Sequence, residues 1–194
     1  MARTQGSRAD ITGPLVRDAA RRLFARHGFA AVSMRQIAAE VGVQVGALYA
    51  YTPDKQALLA DLLRGHMEDL LAAWRDDPGR PALYRLDAFL RFHIQTSLES
   101  PEAVFLSYME LRNLTPENRA AIAALRRRYE DALEAILIAG EAEGSMRVPD
   151  SRLSTMALIA MLTGVTNWYR EGGRLDQERV TEIYRELVRG AVGA

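Results

Sequence analysis

Between Ser33 and Lys55 the chain gathers hydroxyls (Ser33, Tyr49, Tyr51), carboxamides (Gln36, Gln44) and cations (Arg35, Lys55) around a turn at Gly42. Side chains of these types can grip a polar partner through hydrogen bonds and charge. Elsewhere no nucleophile motif, phosphate-cradling glycine loop or paired-carboxylate set stands out. Cysteine is absent, which removes disulfides, thiolate metal sites and cysteine nucleophiles and fits a reducing compartment. His27, His66 and His93 have only loose options for a second ligand one helical turn away, so each reads as a solvated or hydrogen-bonded histidine. No metal, cofactor or catalytic set is therefore expected. Arg126-Arg127-Arg128 cannot all face one way on a helix and read as a solvated face.

Local chemistry arranges the first group. Ser33-Met34-Arg35-Gln36 has the form of a capping box, in which Ser33 caps an amide while Gln36 reaches back. A short helix, Met34 to Glu40, then meets Val41-Gly42-Val43, where glycine supplies the freedom for a tight turn. Gln44 is placed to cap a second short helix that runs from Val45 to Ala50 and is stopped before Pro53. Two short helices about a glycine turn are a helix-turn-helix. The second helix of that motif enters the DNA major groove with its N-terminal residues against base edges. Gly46 and Ala47 are small enough for close approach, and Ile37, Ala38, Val41 and Leu48 form the buried side.

Charge agrees with this reading. Residues 1–55 carry eight basic and four acidic side chains, although the whole chain has 25 of each. A basic N-terminal part on an acidic remainder suits a nucleic-acid binder with a second, separate function.

The rest of the chain reads as helix. Its 194 residues, 48% hydrophobic and 26% charged, describe an ordinary globular protein and exclude a disordered tail. Strand alternation and hairpin turns are missing. Leu59, Leu62, Leu63, Met67, Leu70, Leu71 and Trp74 recur at three and four residues, as one apolar stripe does. Similar stripes, broken by proline and glycine, predict an all-α chain of about nine helices. They fall near 12–27, 34–40, 45–50, 53–76, 81–99, 101–114, 116–142, 150–171 and 176–190. No apolar run approaches about 18 residues, so no membrane span is expected. The opening Met-Ala-Arg-Thr-Gln-Gly-Ser-Arg has no apolar leader behind it, and a cytoplasmic protein is the expectation.

The stretch from Leu15 to Leu59 resembles the DNA-binding domain of the TetR family of bacterial repressors. Leu15-Val16-Arg17-Asp18-Ala19-Ala20-Arg21-Arg22-Leu23-Phe24 matches the first helix, and Val32-Ser33-Met34-Arg35-Gln36-Ile37-Ala38 matches the second. Val41 to Lys55 matches the turn, the recognition helix and the start of the fourth helix, with Thr52 for the usual Phe and Asp54 for the usual Ser. The resemblance implies a three-helix DNA-binding domain over 1–55 and a larger helical ligand-binding and dimerisation domain over 56–194. It further implies that Ser33 and Arg35 contact phosphate or a nearby base edge, and that Gln44, Val45 and Ala47 face bases. Tyr49 and Tyr51 would bind phosphates through their hydroxyls, and Lys55 would add a cation at the backbone.

For the second domain the resemblance implies a homodimer through the last two helices and a small-molecule effector. Ser107-Tyr108-Met109-Glu110-Leu111-Arg112-Asn113-Leu114-Thr115-Pro116-Glu117 and Asn167-Trp168-Tyr169-Arg170-Glu171-Gly172-Gly173-Arg174-Leu175 are similar to strings in members that sense acyl-CoA thioesters. The implied function is a repressor that binds inverted-repeat double-stranded operator DNA and is released by an acyl-CoA. Met67, Leu70, Phe89, Phe92, Phe105, Met109 and Trp168 would supply the apolar part of the site, and Arg112, Arg170 and Arg174 the cations. An aromatic stripe is more often core than pocket, so these remain expectations. The alternative keeps the DNA function but makes the effector a lipophilic drug-like compound, as in efflux regulators; a helical enzyme or a DNA-binding dimer without a ligand are the remaining classes.

Overall fold

The computed structural model describes residues 6–194, with side chains from Thr12 onward. Its described residues form nine α-helices and two short 3₁₀ turns, with no strand. The helices are α1 (Gly6–His27), α2 (Met34–Val41), α3 (Val45–Leu48), α4 (Lys55–Ala73), α5 (Ala82–Glu99), α6 (Pro101–Met109), α7 (Pro116–Ala142), α8 (Ser151–Thr163) and α9 (Gln177–Ala191). The expected count and order hold, with α4 trimmed at both ends (Lys55–Ala73 against 53–76) and three more helices shorter than the apolar pattern implies. The helix expected over 101–114 stops at Met109 and continues as a 3₁₀ turn at Leu111–Asn113. That expected over 150–171 stops at Thr163, before a 3₁₀ turn at Gly164–Asn167. The recognition helix is a single turn, ending at Leu48 rather than Ala50. In each case apolar spacing persists through the tighter turn, so periodicity cannot see the change.

Two compact units arise: one from Met1–His66 with Glu102–Ala123, the other from Met67–Pro101 with Ala124–Ala194. In the first, Val16, Ala20 and Phe24 of α1, Ile37 and Ala38 of α2, Leu48 of α3 and Leu58 and Leu59 of α4 are buried, as are Leu106, Leu114 and Ile122. In the second, Leu86, Phe89, Leu90 and Ile94 give α5 its buried face, and α5 packs against α8 and α9. Its core also holds a polar relay. Buried His93 bonds the Tyr129 hydroxyl through Nδ1 and the Thr163 hydroxyl through Nε2, each at 3.0 Å. The hydrogen-bonded reading of His93 is the one observed.

The start of α5 is fixed by charge. Arg85, on the first turns of α5 and 8% exposed, donates Nε and a terminal nitrogen to the two oxygens of Asp76, at 2.9 and 2.6 Å. Glu143 accepts the Ala82 amide, one of the free N–H groups at that helix end. The Arg85 hydrogen bonds and charge hold the Asp76 carboxyl below its ordinary value, against an opposing effect of burial. A carboxyl depressed on folding stabilises the protein above its unfolded pKa and loses that contribution as the pH falls through the folded value. Asp76→Asn is therefore expected to destabilise by about 2 kcal/mol at neutral pH. The gap to wild type should narrow below about pH 4, as read by urea denaturation across a pH series.

Candidate nucleic-acid interface

The motif is held from its entrance. Gly28 ends α1 in the left-handed region (φ 81°) and returns its amide to the Phe24 carbonyl at 2.9 Å. Phe29 then packs edge-on against Phe24, with ring centroids 5.3 Å apart. Its backbone is gripped on both sides. The Phe29 amide donates to buried Glu110 at 3.1 Å, and Lys55 donates its ammonium to the Phe29 and Val32 carbonyls at 2.8 Å each. The same ammonium sits 4.2 Å from the centre of the Phe29 ring.

The capping box predicted from Ser33 and Gln36 is present. Ser33 Oγ accepts from the Gln36 amide, and Gln36 Oε1 accepts from the Ser33 amide at 2.8 Å. α2 closes on Gly42 (φ 76°), whose amide reaches the Ala38 and Ala39 carbonyls. A residue with a Cβ would be strained in that conformation. The chain then turns, and Val43 bonds the Ala38 carbonyl at 2.9 Å. Gln44 stands at the start of α3 with extended backbone, but its side chain makes no capping bond. The expected Gln44 cap is thus replaced by a backbone bond from Ala47 to the Gln44 carbonyl at 2.9 Å, which leaves the carboxamide exposed. After α3, Asp54 caps α4 by accepting the Ala57 amide at 2.7 Å, and buried Thr52 bonds the Asp54 carbonyl at 2.9 Å.

Burial sorts the rest. Leu48 is fully buried, while Arg35, Gln44, Val45, Gly46, Ala47 and Tyr49 are exposed. Tyr49 is 55% exposed and so does not fill the core. Tyr51 is half-buried, its ring lying along Gly13 of α1. Two expected contacts are already engaged. The Ser33 hydroxyl serves the cap, and the Lys55 ammonium donates to the two loop carbonyls. Charge is redistributed likewise. Arg21 pairs with Asp18 and Glu102, and Arg22 with Asp18 and Glu40. Arg17, Arg26 and Arg35 make no ion pair among the described residues, while Arg3 and Arg8 lie outside the described side chains. Glu110 escaped the sequence reading; its only signal was the family-like string around it.

The expected effector residues fall on both units. Phe105, Met109 and Arg112 belong to the first and are exposed. In the second, Trp74 packs on Phe89 and Phe92 with ring centroids at 5.0 and 5.4 Å, and Phe89 continues to His93 and Tyr129. Phe89 is fully buried and Met67 nearly so, Leu70 and Phe92 are half-buried, and Trp74 Nε1 is buried without a hydrogen-bond partner among the described residues. Trp168 stacks instead on Tyr184 of α9 (6.3 Å, 16°). Arg170 and Arg174 are exposed, and Arg170 bonds the Tyr169 carbonyl.

Comparison with known proteins places both parts of the chain. The profile of bacterial regulatory proteins of the tetR family matches residues 16–62, and that of the tetracyclin repressor-like C-terminal domain matches residues 79–192. The HTH-type transcriptional repressor KstR2 of Rhodococcus jostii (strain RHA1) is 27% identical over 175 residues, covering 88% of this chain and 86% of that protein. A bacterial regulatory protein of the tetR family from Rhodococcus RHA1 has a crystal structure that superposes with a TM-score of 0.88 at 27% identity, over 94% of this chain and 97% of that one. AibR, crystallised with isovaleryl coenzyme A and operator DNA, shares the fold with a TM-score of 0.83 at 24% identity, over 91% of this chain and 97% of that one.

The grip on the motif predicts two separable losses of stability. Ser33→Ala removes one cap and should cost about 1 kcal/mol. Lys55→Met leaves two carbonyls without their donor and should cost about 2 kcal/mol or more. Chemical denaturation of both variants checks the order.

Proposed function

This chain belongs to the TetR family of bacterial regulators, and from that membership we propose that it represses transcription from an inverted-repeat operator, as a homodimer released by an acyl-CoA thioester. The observation that carries the DNA reading is the exposed start of α3. Gln44, Val45 and Ala47 face outward from a helix whose inner side is closed by buried Leu48. In this reading the Gln44 carboxamide bonds adenine, and Val45 and Ala47 meet apolar base edges. Arg35 and the hydroxyls of Tyr49 and Tyr51 grip phosphate and set the register, while Ser33 contributes as the cap of α2. Lys55 supports the motif from within.

The dimer reading rests on faces that one chain leaves uncovered. Leu153, Met156, Ala157 and Ala160 follow helical spacing on α8 and are exposed, and Leu187 and Ala191 are exposed on α9. Leu153 is 61% exposed and Leu187 53%. Apolar stripes of this kind mark interaction surfaces, and the alanines permit close helix approach.

The effector reading rests on the aromatic cluster and on AibR, which was crystallised with an acyl-CoA and operator DNA. Trp74, Phe89 and Phe92, with Met67 and Leu70, offer an apolar environment to an acyl chain. The unpartnered Trp74 indole N–H can donate to an oxygen such as the thioester carbonyl. Trp168, Arg170 and Arg174 are proposed as further effector contacts in the same unit, the arginines for the nucleotide phosphates. Release requires tighter binding to the DNA-incompetent state, since equal affinity for both shifts nothing. A second reading, an efflux regulator sensing a lipophilic compound, is favoured by the same cluster, which selects apolar matter without needing a nucleotide.

Titration of the protein onto its own promoter region tests the proposal. A saturable complex is expected that acyl-CoA dissolves, whereas free coenzyme A and the free acid do not. An intact complex with short, long and aromatic acyl-CoAs would give way to the efflux reading, and no complex at all would sink both. Gln44→Ala should change sequence preference by about 1–3 kcal/mol. Tyr49→Phe should weaken all sequences alike, and Lys55→Met should leave the salt dependence of binding unchanged because it removes no phosphate contact. Ala160→Arg buries an unpaired charge at the proposed interface and should yield monomers by light scattering. An unaltered dimer would place the interface elsewhere.

A further inference from the structure

Around Phe29 the hydrogen bonds close into a ring. The Phe29 amide donates to Glu110, and Asn113 donates its side-chain amide to the other oxygen of Glu110. The Asn113 carbonyl accepts from Gln56, the first-turn neighbour of Lys55 on α4. Lys55 returns the circuit by donating to the Phe29 and Val32 carbonyls. Three stretches distant in sequence are thereby locked together: the loop from α1 to α2, the first turn of α4, and the 3₁₀ turn between α6 and α7.

The ring is buried where it matters. Phe29 is 8% exposed and Glu110 5%. A buried amide without an acceptor is costly, so the Phe29 peptide must keep Glu110 or find another acceptor. Glu110 makes no ion pair among the described residues, and its hydrogen-bond donors are the Phe29 amide and Asn113. Its position on the chain is equally specific. Residues 102–123 belong to the compact unit of the helix-turn-helix, yet the chain enters them from the second unit at Pro101 and returns to it at Ala124. α4 also leaves the first unit, after His66. Every crossing of the chain between the units therefore involves a stretch that the ring holds, α4 through Lys55 and Gln56 and the α6–α7 stretch through Glu110 and Asn113.

We propose that this ring is the joint through which the state of the second unit sets the position of α2 and α3, with Glu110 as its positioning residue. The inference deepens the repressor reading and rests on it. A displacement of the 110–113 turn either drags the Phe29 peptide with it or opens the ring. In both cases Ser33, the cap of α2 four residues on, is carried along, and with it the direction of α3. Glu110 thereby acts on operator DNA without touching it.

The test compares operator affinity, thermal stability and exchange of the Phe29 amide in the full-length wild type and in Glu110→Ala, Glu110→Gln and Gln56→Ala. Glu110→Ala should weaken ligand-free operator binding about tenfold and speed Phe29 exchange by a similar factor. Its melting temperature should fall by roughly 4–8 °C, because the Phe29 amide and Asn113 lose their acceptor. Glu110→Gln keeps one acceptor oxygen, and Gln56→Ala opens the ring at another bond, so each should weaken binding about threefold. With palmitoyl-CoA as the probe, the factor by which it weakens operator binding should fall toward one in Glu110→Ala while its affinity for the free protein is unchanged. A residue that only stabilises the fold would lower melting temperature and operator affinity together and leave that factor intact, and this result overturns the proposal. So does wild-type operator affinity in Glu110→Ala. If that variant does not fold, Glu110→Gln and Gln56→Ala carry the same comparison. Failure of palmitoyl-CoA to weaken the wild-type complex counts against the acyl-CoA reading alone, because the ligand-free comparison still decides the role of Glu110.

Discussion

A helix of four residues has no stability of its own, because nucleation fixes more backbone than one or two hydrogen bonds repay. The direction of Val45–Leu48 is therefore set by what it is fastened to. Three fastenings act on it. Gly42 turns the backbone out of α2 in a conformation open to glycine. Leu48 anchors the inner side in the core of the first unit. α2 itself is held by the Ser33–Gln36 box and by Lys55 on the carbonyls just before it. The side chains left outside are those of Gln44, Val45, Ala47 and Tyr49.

Lys55 shows how one side chain settles the character of such a site. A lysine beside exposed tyrosines on a basic segment invites the reading of a phosphate contact. Its ammonium instead satisfies two loop carbonyls and lies over the Phe29 ring, an arrangement that stabilises the charge without a carboxylate. Among the described residues of this segment, Arg17, Arg26 and Arg35 are the exposed arginines without an ion pair. The neighbouring Arg21 and Arg22 are largely neutralised by Asp18, Glu40 and Glu102.

The second unit divides its side chains differently. In its interior His93 lies between two hydroxyls and Arg85 is forked onto Asp76, so these groups fix helix positions. Arg189 on Asp87 adds a similar tie between α9 and α5. The surface of α8 and α9, in contrast, keeps Leu153, Met156 and Leu187 in solvent.

Much of this was legible in the chain, since it depends on near neighbours. The capping box, the glycine turn and the apolar stripes each follow from residues within about four positions of one another, the range over which helices communicate. Hence the helix order, the helix-turn-helix and its exposed face emerged without coordinates. Only the tertiary structure decided the remainder. It showed that residues 102–123 fold back to the DNA-binding unit, that Lys55 and Glu110 hold the same peptide from opposite sides, and that α6 and α8 end in 3₁₀ turns. It also showed that Trp74, Phe89 and Phe92 meet while Trp168 stacks on Tyr184. Glu110 and Phe29 stand 81 positions apart, and no local pattern of charge or periodicity can record which buried amide a distant carboxylate will satisfy.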